Sequence, residues 1–186
     1  MTLNVAVFLG SKLGNNPKNI ILVKEFSEWF ASKKYNLIFG GTESGLMAQM
    51  AEIVIKNNCN VTSVFTKKLY ENSKKLQYYS ELIIAEDLPD RNSLMFERSD
   101  VFIALPGGIG TLCEILDVIN RNLLGEINKK IFIINDTLYW NPLFKLFSHF
   151  NKNNFLDYKE IQKNIKLCKL KQLKIELNRI NAKDKS

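Results

Sequence analysis

The stretch LPGGIGTLCEIL, Leu105 to Leu116, follows the short apolar run VFIA at residues 101–104. The stretch contains three glycines, and hydrophobic residues recur behind them at helical spacing. A strand, a glycine-rich loop and a helix in this order are typical of parallel α/β proteins, where such a loop lies at the carboxyl end of its strand. The segment therefore predicts one strand–loop–helix unit.

The rest of the chain repeats this alternation of short apolar runs and longer amphipathic segments. Apolar, β-branched or aromatic runs predict strands at residues 5–9, 36–39, 61–65, 82–85, 101–105, 131–135 and 165–168. Helical spacing predicts helices at residues 17–33, 45–57, 91–98, 111–124 and 140–151. The polar connection at residues 67–79 fits neither pattern.

This alternation predicts the fold class. Strands separated by helix-length segments need right-handed crossovers, which produce a parallel sheet covered by helices on both faces. We therefore predict a Rossmann-like, doubly wound α/β fold in a single domain over residues 1–180. The last six residues, NAKDKS at 181–186, are predicted to fray as a C-terminal tail.

Composition limits the classes of protein to which the chain can belong. The chain has 186 residues, of which 46% are hydrophobic, so it can bury one sizeable core. It lacks both an apolar run of about 18 residues and a signal peptide, which predicts a soluble, cytoplasmic protein with no membrane partner. Three cysteines without CxxC spacing and one histidine predict neither a disulfide framework nor a metal site.

The formal charge of +7 raises the question of a nucleic-acid partner. Most of the excess lies in residues 159–186, which hold nine Lys or Arg against three acidic residues. These lysines are spread among Ile, Leu and Asn, without an arginine cluster or interleaved aromatic residues. The pattern is typical of a solvated surface, and we predict no nucleic-acid partner.

Three glycine-bearing loops follow predicted strands, at residues 9–14, 39–47 and 105–111. None matches GxGxxG, and Gly40 and Gly45 have P-loop spacing without the Lys and Ser/Thr that should follow. Glycine lets the backbone approach a ligand closely, and the helix predicted to begin at Thr111 would present free N–H groups to an anion. The loops therefore predict a phosphate site at one edge of the sheet.

Three segments resemble the Lonely Guy family of cytokinin-activating nucleoside 5′-monophosphate phosphoribohydrolases. PGGIGTLCE resembles the family signature PGGxGTxxE, GGTESGLMAQMAE resembles GGGxxGLMGxxA, and LPDRNSLMFERSDVFIALPGG resembles the MxxRKxxM helix with the strand that follows it. The similarity extends over about residues 5–150. The family is also labelled possible lysine decarboxylase, but nothing in the sequence identifies a Schiff-base lysine or a pyridoxal phosphate site.

The resemblance implies hydrolysis of the N-glycosidic bond of AMP or N6-modified AMP, which releases the free base and ribose 5-phosphate. It implies no cofactor, a purine nucleoside monophosphate as substrate, and Arg91 and Glu114 as the catalytic pair. A carboxylate suits this reaction because it can stabilise an oxocarbenium-like ribose and orient water. The candidate substrate-binding residues are Gly10, Ser11, Gly40, Gly41, Gly45, Asn92, Met95, Gly107, Gly108, Ile109, Gly110, Thr111 and Asn120.

The resemblance also implies a homodimer that pairs through helices beside the active site. Large aromatic side chains on predicted helices supply a second reason, since together they could exceed what one small core buries. These side chains are Trp29, Phe30, Trp140, Phe144 and Phe147.

Other interpretations of the same residues remain open. Thr111 and Glu114 form T-x-x-E, which predicts a capping box with Thr111 as the helix N-cap. Asn92 stands where the family has lysine, and Arg98, about two turns after Arg91, is predicted to compensate for that charge. Further departures from the family pattern are Thr42, Ala48 and Asn120.

A second functional class also fits the glycine loops. A non-catalytic nucleotide-binding protein or molybdenum-cofactor carrier of the same fold would need a phosphate cradle. It would not need both Arg91 and Glu114, so the presence of this pair favours the enzyme.

Overall fold

The computed structural model describes residues 2–41, 44–72 and 78–183. Seven strands form one parallel sheet in the order β4-β3-β2-β1-β5-β6-β7. The strands are β1 Asn4–Phe8, β2 Asn36–Phe39, β3 Val61–Thr66, β4 Glu81–Ala85, β5 Val101–Ala104, β6 Ile131–Ile134 and β7 Ile165–Cys168. The predicted parallel α/β sheet is confirmed, and each strand lies within one residue of its predicted bounds.

Eight helices connect or flank these strands in the described part of the chain. They are α1 Pro17–Ser32, α2 Gly45–Lys56, α3 Lys67–Glu71, α4 Leu88–Arg98, α5 Ile109–Leu123, α6 Asn141–Lys152, α7 Tyr158–Asn164 and α8 Leu170–Lys183. None of the helices within residues 2–41, 44–72 and 78–183 combines the length and apolar character needed to cross a membrane.

The helices cover both faces of the sheet because alternate strand residues point to opposite sides. Val5 and Val7 of β1 pack into one core cluster with residues of α1, α2 and α8. Ala6 and Phe8 pack into a second cluster with residues of α4, α5, α6 and α7. This two-sided burial explains why the strands read as nearly continuous apolar runs.

Two predicted helices begin earlier than the sequence pattern indicated. The N-cap of α4 is Asp87, whose side chain accepts a hydrogen bond from the Asp90 N–H, and Pro89 fits the first turn. The N-cap of α5 is Gly108, so the helix starts at Ile109 and not at Thr111. In both cases the hydrophobic periodicity marks only the part of the helix that packs on the sheet.

Three helices were not predicted. α3 and α7 are short, and α3 lies within the connection at residues 67–79, of which residues 73–77 lie outside the described residues. The lysine-rich segment after β7 forms α8, whose Leu173 and Leu177 are fully buried. Because α8 extends to Lys183, residues 181–183 are helical where a frayed tail was predicted, and residues 184–186 lie outside the described residues.

The strand order reverses between β1 and β5. From β1 the chain builds β2, β3 and β4 on one side, and then returns to place β5, β6 and β7 on the other. In open parallel sheets the crevice at such a switch point, beyond the carboxyl ends of the strands, is where ligands bind. The loops after β1 and β5 both lie at this position.

Candidate active site

Arg91 and Glu114 form a buried ion pair between α4 and α5. Arg91 Nη1 lies 3.2 Å from Glu114 Oε1, and the two side chains are only 8% and 6% exposed. The Arg91 Nε–H also donates a 2.9 Å hydrogen bond to the carbonyl of Val64 in β3. Tertiary packing thus joins the two residues proposed from the family resemblance into one fixed unit.

Gly40 provides the space that the Arg91 guanidinium occupies. A Cβ at position 40 would lie 1.6 Å from Arg91 Nη2, closer than any real contact. The glycine directly after β2 is therefore required by the position of the arginine, whatever it contributes to a ligand.

The surroundings of Glu114 set its electrostatics. Burial raises the pKa of the Glu114 carboxyl, and the adjacent Arg91 charge and hydrogen bond oppose that rise. Glu114 Oε2 is buried and has no hydrogen-bond partner among the described residues. A buried carboxylate oxygen without a partner is costly, and such atoms are found where a ligand or reacting group completes the site.

The predicted capping box is wrong. Thr111 is the third residue of α5 and not its N-cap, and the actual N-cap, Gly108, makes no side-chain capping bond. Glu114 Oε1 is paired with Arg91. The T-x-x-E spacing is therefore incidental, because the helix begins two residues before the threonine.

The three glycine loops meet at the carboxyl edge of the sheet. The Gly10 N–H donates to the Pro106 carbonyl at 3.1 Å, which joins the loops after β1 and β5. The Met47 N–H donates to the Gly10 carbonyl at 3.2 Å, and a Cβ at Gly45 would lie 2.4 Å from the Ser11 backbone. The start of α2 therefore packs directly against the loop after β1.

The start of α5 presents backbone donors at this edge. The first helical hydrogen bond runs from the Leu112 N–H to the Gly108 carbonyl at 3.0 Å. The N–H groups before it have no partner within the helix, and residues Gly108, Ile109 and Gly110 are exposed to solvent. Such a terminus suits a phosphate because its amides and the helix dipole both favour negative charge.

Other predicted substrate-binding residues lie in different environments. Met95 is fully buried in the core with Phe96 and Phe102, so core packing accounts for this side chain. Asn120 is exposed on α5, about 9 Å along the helix from Glu114. Gly41 follows Gly40 with a φ of +64° and lies against the Phe65 ring.

The prediction that Arg98 compensates for the missing family lysine is wrong. Arg98 lies at the far end of α4 and pairs with Glu81, whose strand begins at the amino edge of the sheet. Asn92, at the lysine position, donates a 3.1 Å hydrogen bond to Asp117 on α5. Asp117 also accepts a 3.0 Å bond from Arg121, so a cation from α5 lies near this position.

Sequence reasoning missed two groups that contact elements of the candidate site. Asp117 lies one turn after Glu114, and that helical spacing could have identified it. Tyr139, in the loop after β6, donates a 2.6 Å hydrogen bond to the Gly107 carbonyl. Tyr139 follows β6, the neighbour of β5 in the sheet, and this position could have indicated that it lies near the glycine loop after β5. In the part of the chain that the structure describes, no cluster of three His, Cys, Asp or Glu side chains could hold a metal ion.

Comparisons with known proteins identify the family of the chain. A family model described as "possible lysine decarboxylase" matches residues 47–176. A probable cytokinin riboside 5′-monophosphate phosphoribohydrolase of Oryza sativa subsp. japonica is 34% identical over 77% of this chain and 64% of its own. A cytokinin riboside 5′-monophosphate phosphoribohydrolase of Rhodococcoides fascians is 31% identical over 82% of this chain and 78% of its own. The chain thus spans less than two thirds of the length of the rice relative.

Solved structures share the fold at low sequence identity. A molybdenum cofactor binding protein of Rippkaea orientalis has a TM-score of 0.70 at 19% identity, covering 98% of both chains. The molybdenum cofactor carrier protein of Chlamydomonas reinhardtii has a TM-score of 0.71 at 12% identity, covering 98% of this chain and 99% of its own. These likenesses support the fold alone. The family model and the two relatives show that the chain belongs to the Lonely Guy family. Both relatives are named as cytokinin riboside 5′-monophosphate phosphoribohydrolases, the rice protein as a probable one.

Proposed function

We propose that the protein is a nucleoside 5′-monophosphate phosphoribohydrolase that acts on AMP or on N6-modified AMP. One observation carries the proposal: a buried Arg91–Glu114 pair whose second carboxylate oxygen has no partner among the described residues. The names of the relatives supply the substrate class, and the exposed amides at the start of α5 supply an anion site.

The proposed reaction breaks the bond between ribose C1′ and the purine nitrogen. The bonding electron pair leaves with the base, which gains a proton. The water oxygen bonds to C1′, keeps one proton as the new hydroxyl and loses the other, so that no net proton is consumed. The ribose carries positive charge in the transition state, and the Glu114 carboxylate stabilises that charge and orients the water. Burial raises the Glu114 pKa, and the positive charge of Arg91 opposes that rise and so favours the ionised form.

A product assay tests this proposal directly. Incubation with AMP, with an N6-alkylated AMP and with adenosine should release base from the two nucleotides, with one ribose 5-phosphate for each base. Adenosine should react poorly, because it has no phosphate for the glycine loops. Nucleotide binding without release of any base would contradict the enzyme and support the carrier alternative.

The predicted homodimer is part of the proposal, but the argument from large aromatic side chains does not hold. Phe30, Trp140 and Phe147 are buried in the core, and Trp29 and Phe144 pack against it. Core packing therefore accounts for these aromatic residues, and they are no evidence for a partner.

A different surface supports pairing. The side of α5 away from the sheet exposes residues spaced by four and three positions, as in the seam of a coiled coil. They are Ile109, Cys113, Leu116, Asn120 and Leu123. The exposed fraction reaches 77% for Ile109 and 41% for both Leu116 and Leu123. Light scattering at micromolar concentration should give twice the chain mass, and Leu116→Lys should halve it; a monomeric wild type would contradict the dimer.

We also propose a cytoplasmic location. Cys59, Cys113 and Cys168 all carry free thiols, as expected in a reducing compartment.

A further inference from the structure

Tyr139 links the loop after β6 to the glycine loop that begins α5. Its hydroxyl donates a 2.6 Å hydrogen bond to the carbonyl oxygen of Gly107. The tyrosine is 43% exposed, so the bond lies at the surface of the candidate site and not in the core.

The loop that carries Tyr139 is held in place by its own hydrogen bonds. The Asn135 side chain accepts a 2.8 Å bond from the Trp140 N–H and donates a 2.8 Å bond to Asn141. Leu138 adopts a φ of +60°, which a turn of this kind requires. The Trp140 ring is buried and meets the Tyr139 ring edge-on, with 5.1 Å between the ring centroids. These contacts therefore restrain the position of the Tyr139 side chain.

The Gly107–Gly108 segment has no side chains of its own to hold it. Two successive glycines allow a wide range of backbone conformations. Position 107 cannot carry a side chain that would restrict the backbone, because a Cβ there would lie 2.1 Å from Thr111 Oγ1. The segment is held through three successive carbonyl groups. The Gly10 N–H donates to the Pro106 carbonyl at 3.1 Å, the Tyr139 hydroxyl donates to the Gly107 carbonyl, and the Leu112 N–H donates to the Gly108 carbonyl at 3.0 Å.

The hydrogen bond to the Gly107 carbonyl also fixes the orientation of the Gly108 N–H in the same peptide group. In a planar trans peptide the C=O and N–H bonds point in opposite directions, and the described residues contain no cis peptide. The Gly107 carbonyl points toward Tyr139, so the Gly108 N–H points away from it. Gly108 is the N-cap of α5, where the free amides of the first turn also lie.

We propose that Tyr139 is a positioning residue that orients the Gly107–Gly108 peptide so that the Gly108 amide binds the 5′-phosphate of the substrate. This inference rests on the proposed function and extends it to phosphate recognition. Tyr139 does not touch the reacting bond, so its effect falls on binding and not on the chemical step.

The test compares Tyr139→Phe with wild type against ligands with and without phosphate. We expect the Kd for ribose 5-phosphate and the KM for AMP to rise about 3- to 10-fold, as loss of one net hydrogen bond predicts. The kcat should change less than about twofold, and the Kd for adenosine should stay the same, because neither depends on the Gly108 amide. Tyr158→Phe serves as the control, since Tyr158 packs against the core from α7 and should leave every value unchanged.

The outcomes separate this inference from the proposed function. Equal ribose 5-phosphate affinity in Tyr139→Phe and wild type would overturn the role of Tyr139 and leave the hydrolase intact. A similar weakening for adenosine and ribose 5-phosphate would also overturn it, because it would indicate general damage. Weaker ribose 5-phosphate binding in the variant would support the inference even if wild type released no base, a result that would refute only the hydrolase.

Discussion

Helix α4 carries two arginine–glutamate pairs that differ in burial and not in distance. Arg91, near its start, lies 3.2 Å from Glu114, and Arg98, at its end, lies 3.0 Å from Glu81. The first two side chains are 8% and 6% exposed, whereas the second two are 45% and 48% exposed. The environment therefore decides what each pair can do, because charges interact strongly only where water is excluded.

The two ends of the sheet also differ in how their polar groups are satisfied. At the amino edge, the Asn36 side chain donates to Asn4 at 2.8 Å, and the Asn60 side chain donates to Asn36 at 3.2 Å. At the carboxyl edge, Glu114 Oε2 has no partner among the described residues. These amino-edge amides satisfy one another, whereas the buried carboxylate oxygen at the carboxyl edge can accept a hydrogen bond from a bound group.

The largest expected difference between the two pairs is in turnover. Glu114→Gln should lose about 10²-fold or more in kcat, because an amide cannot stabilise a developing cation as a carboxylate does. Glu81→Gln, the matched change at the exposed pair, should stay within about twofold of wild type. Base release from AMP measures both, and comparable losses in the two variants would show that Glu114 has no special role.

The second difference is in stability. Arg91→Met should lower the free energy of unfolding by about 3 kcal/mol, because it leaves a buried carboxyl without its partner. Arg98→Met should cost less than about 1 kcal/mol, the usual contribution of an exposed ion pair. Urea unfolding of both variants measures the contrast. A larger loss in Arg98→Met than in Arg91→Met would mean that burial does not distinguish the pairs.

The smallest effect is a shift in the pH dependence of turnover. The pKa of Glu114 is raised by burial, so its carboxyl is protonated at pH values where an ordinary glutamate is ionised. If the carboxylate is the active form, kcat/KM should fall as pH drops through this raised pKa. Arg91→Gln should move the acidic limb to still higher pH, since the charge that lowers the Glu114 pKa is lost.

Kinetics from about pH 4 to about pH 9 would follow this limb. Glu81→Gln should leave its position unchanged, because Glu81 lies at the opposite edge of the sheet. An acidic limb that stays in place in Arg91→Gln would show that Glu114 does not titrate in the rate.

Much of the fold could be predicted because burial on both faces leaves a strong sequence pattern. The strands are continuous apolar runs, and the helices α1, α2, α5 and α6 show clear periodicity. Helix α8 was missed because lysines separate its buried leucines, and only packing against the sheet distinguishes Leu173 and Leu177 from a solvated segment. Short helices such as α3 and α7 carry too few residues for a periodic signal.

The sequence also predicted the candidate site only in part. The motifs identified Arg91 and Glu114, but helical spacing alone placed Arg98 with them. Seven residues bring two side chains to the same face of a helix but separate them by about 10 Å along its axis. That distance carries Arg98 across the sheet to its amino edge, so face and position must both be known before residues are assigned to one site.

The sequence by itself determined the parallel sheet and the glycine loops at its carboxyl edge, because hydrophobic periodicity and local motifs are properties of neighbouring residues. The family resemblance of those motifs singled out Arg91 and Glu114 as candidates. Only the tertiary structure decided that Glu114 pairs with Arg91 and caps no helix, that Gly40 makes room for the guanidinium, and that Tyr139 holds the Gly107 carbonyl. Each of these contacts joins residues from different elements. Their distances, burial and pKa shifts depend on how the elements pack, which no local pattern records.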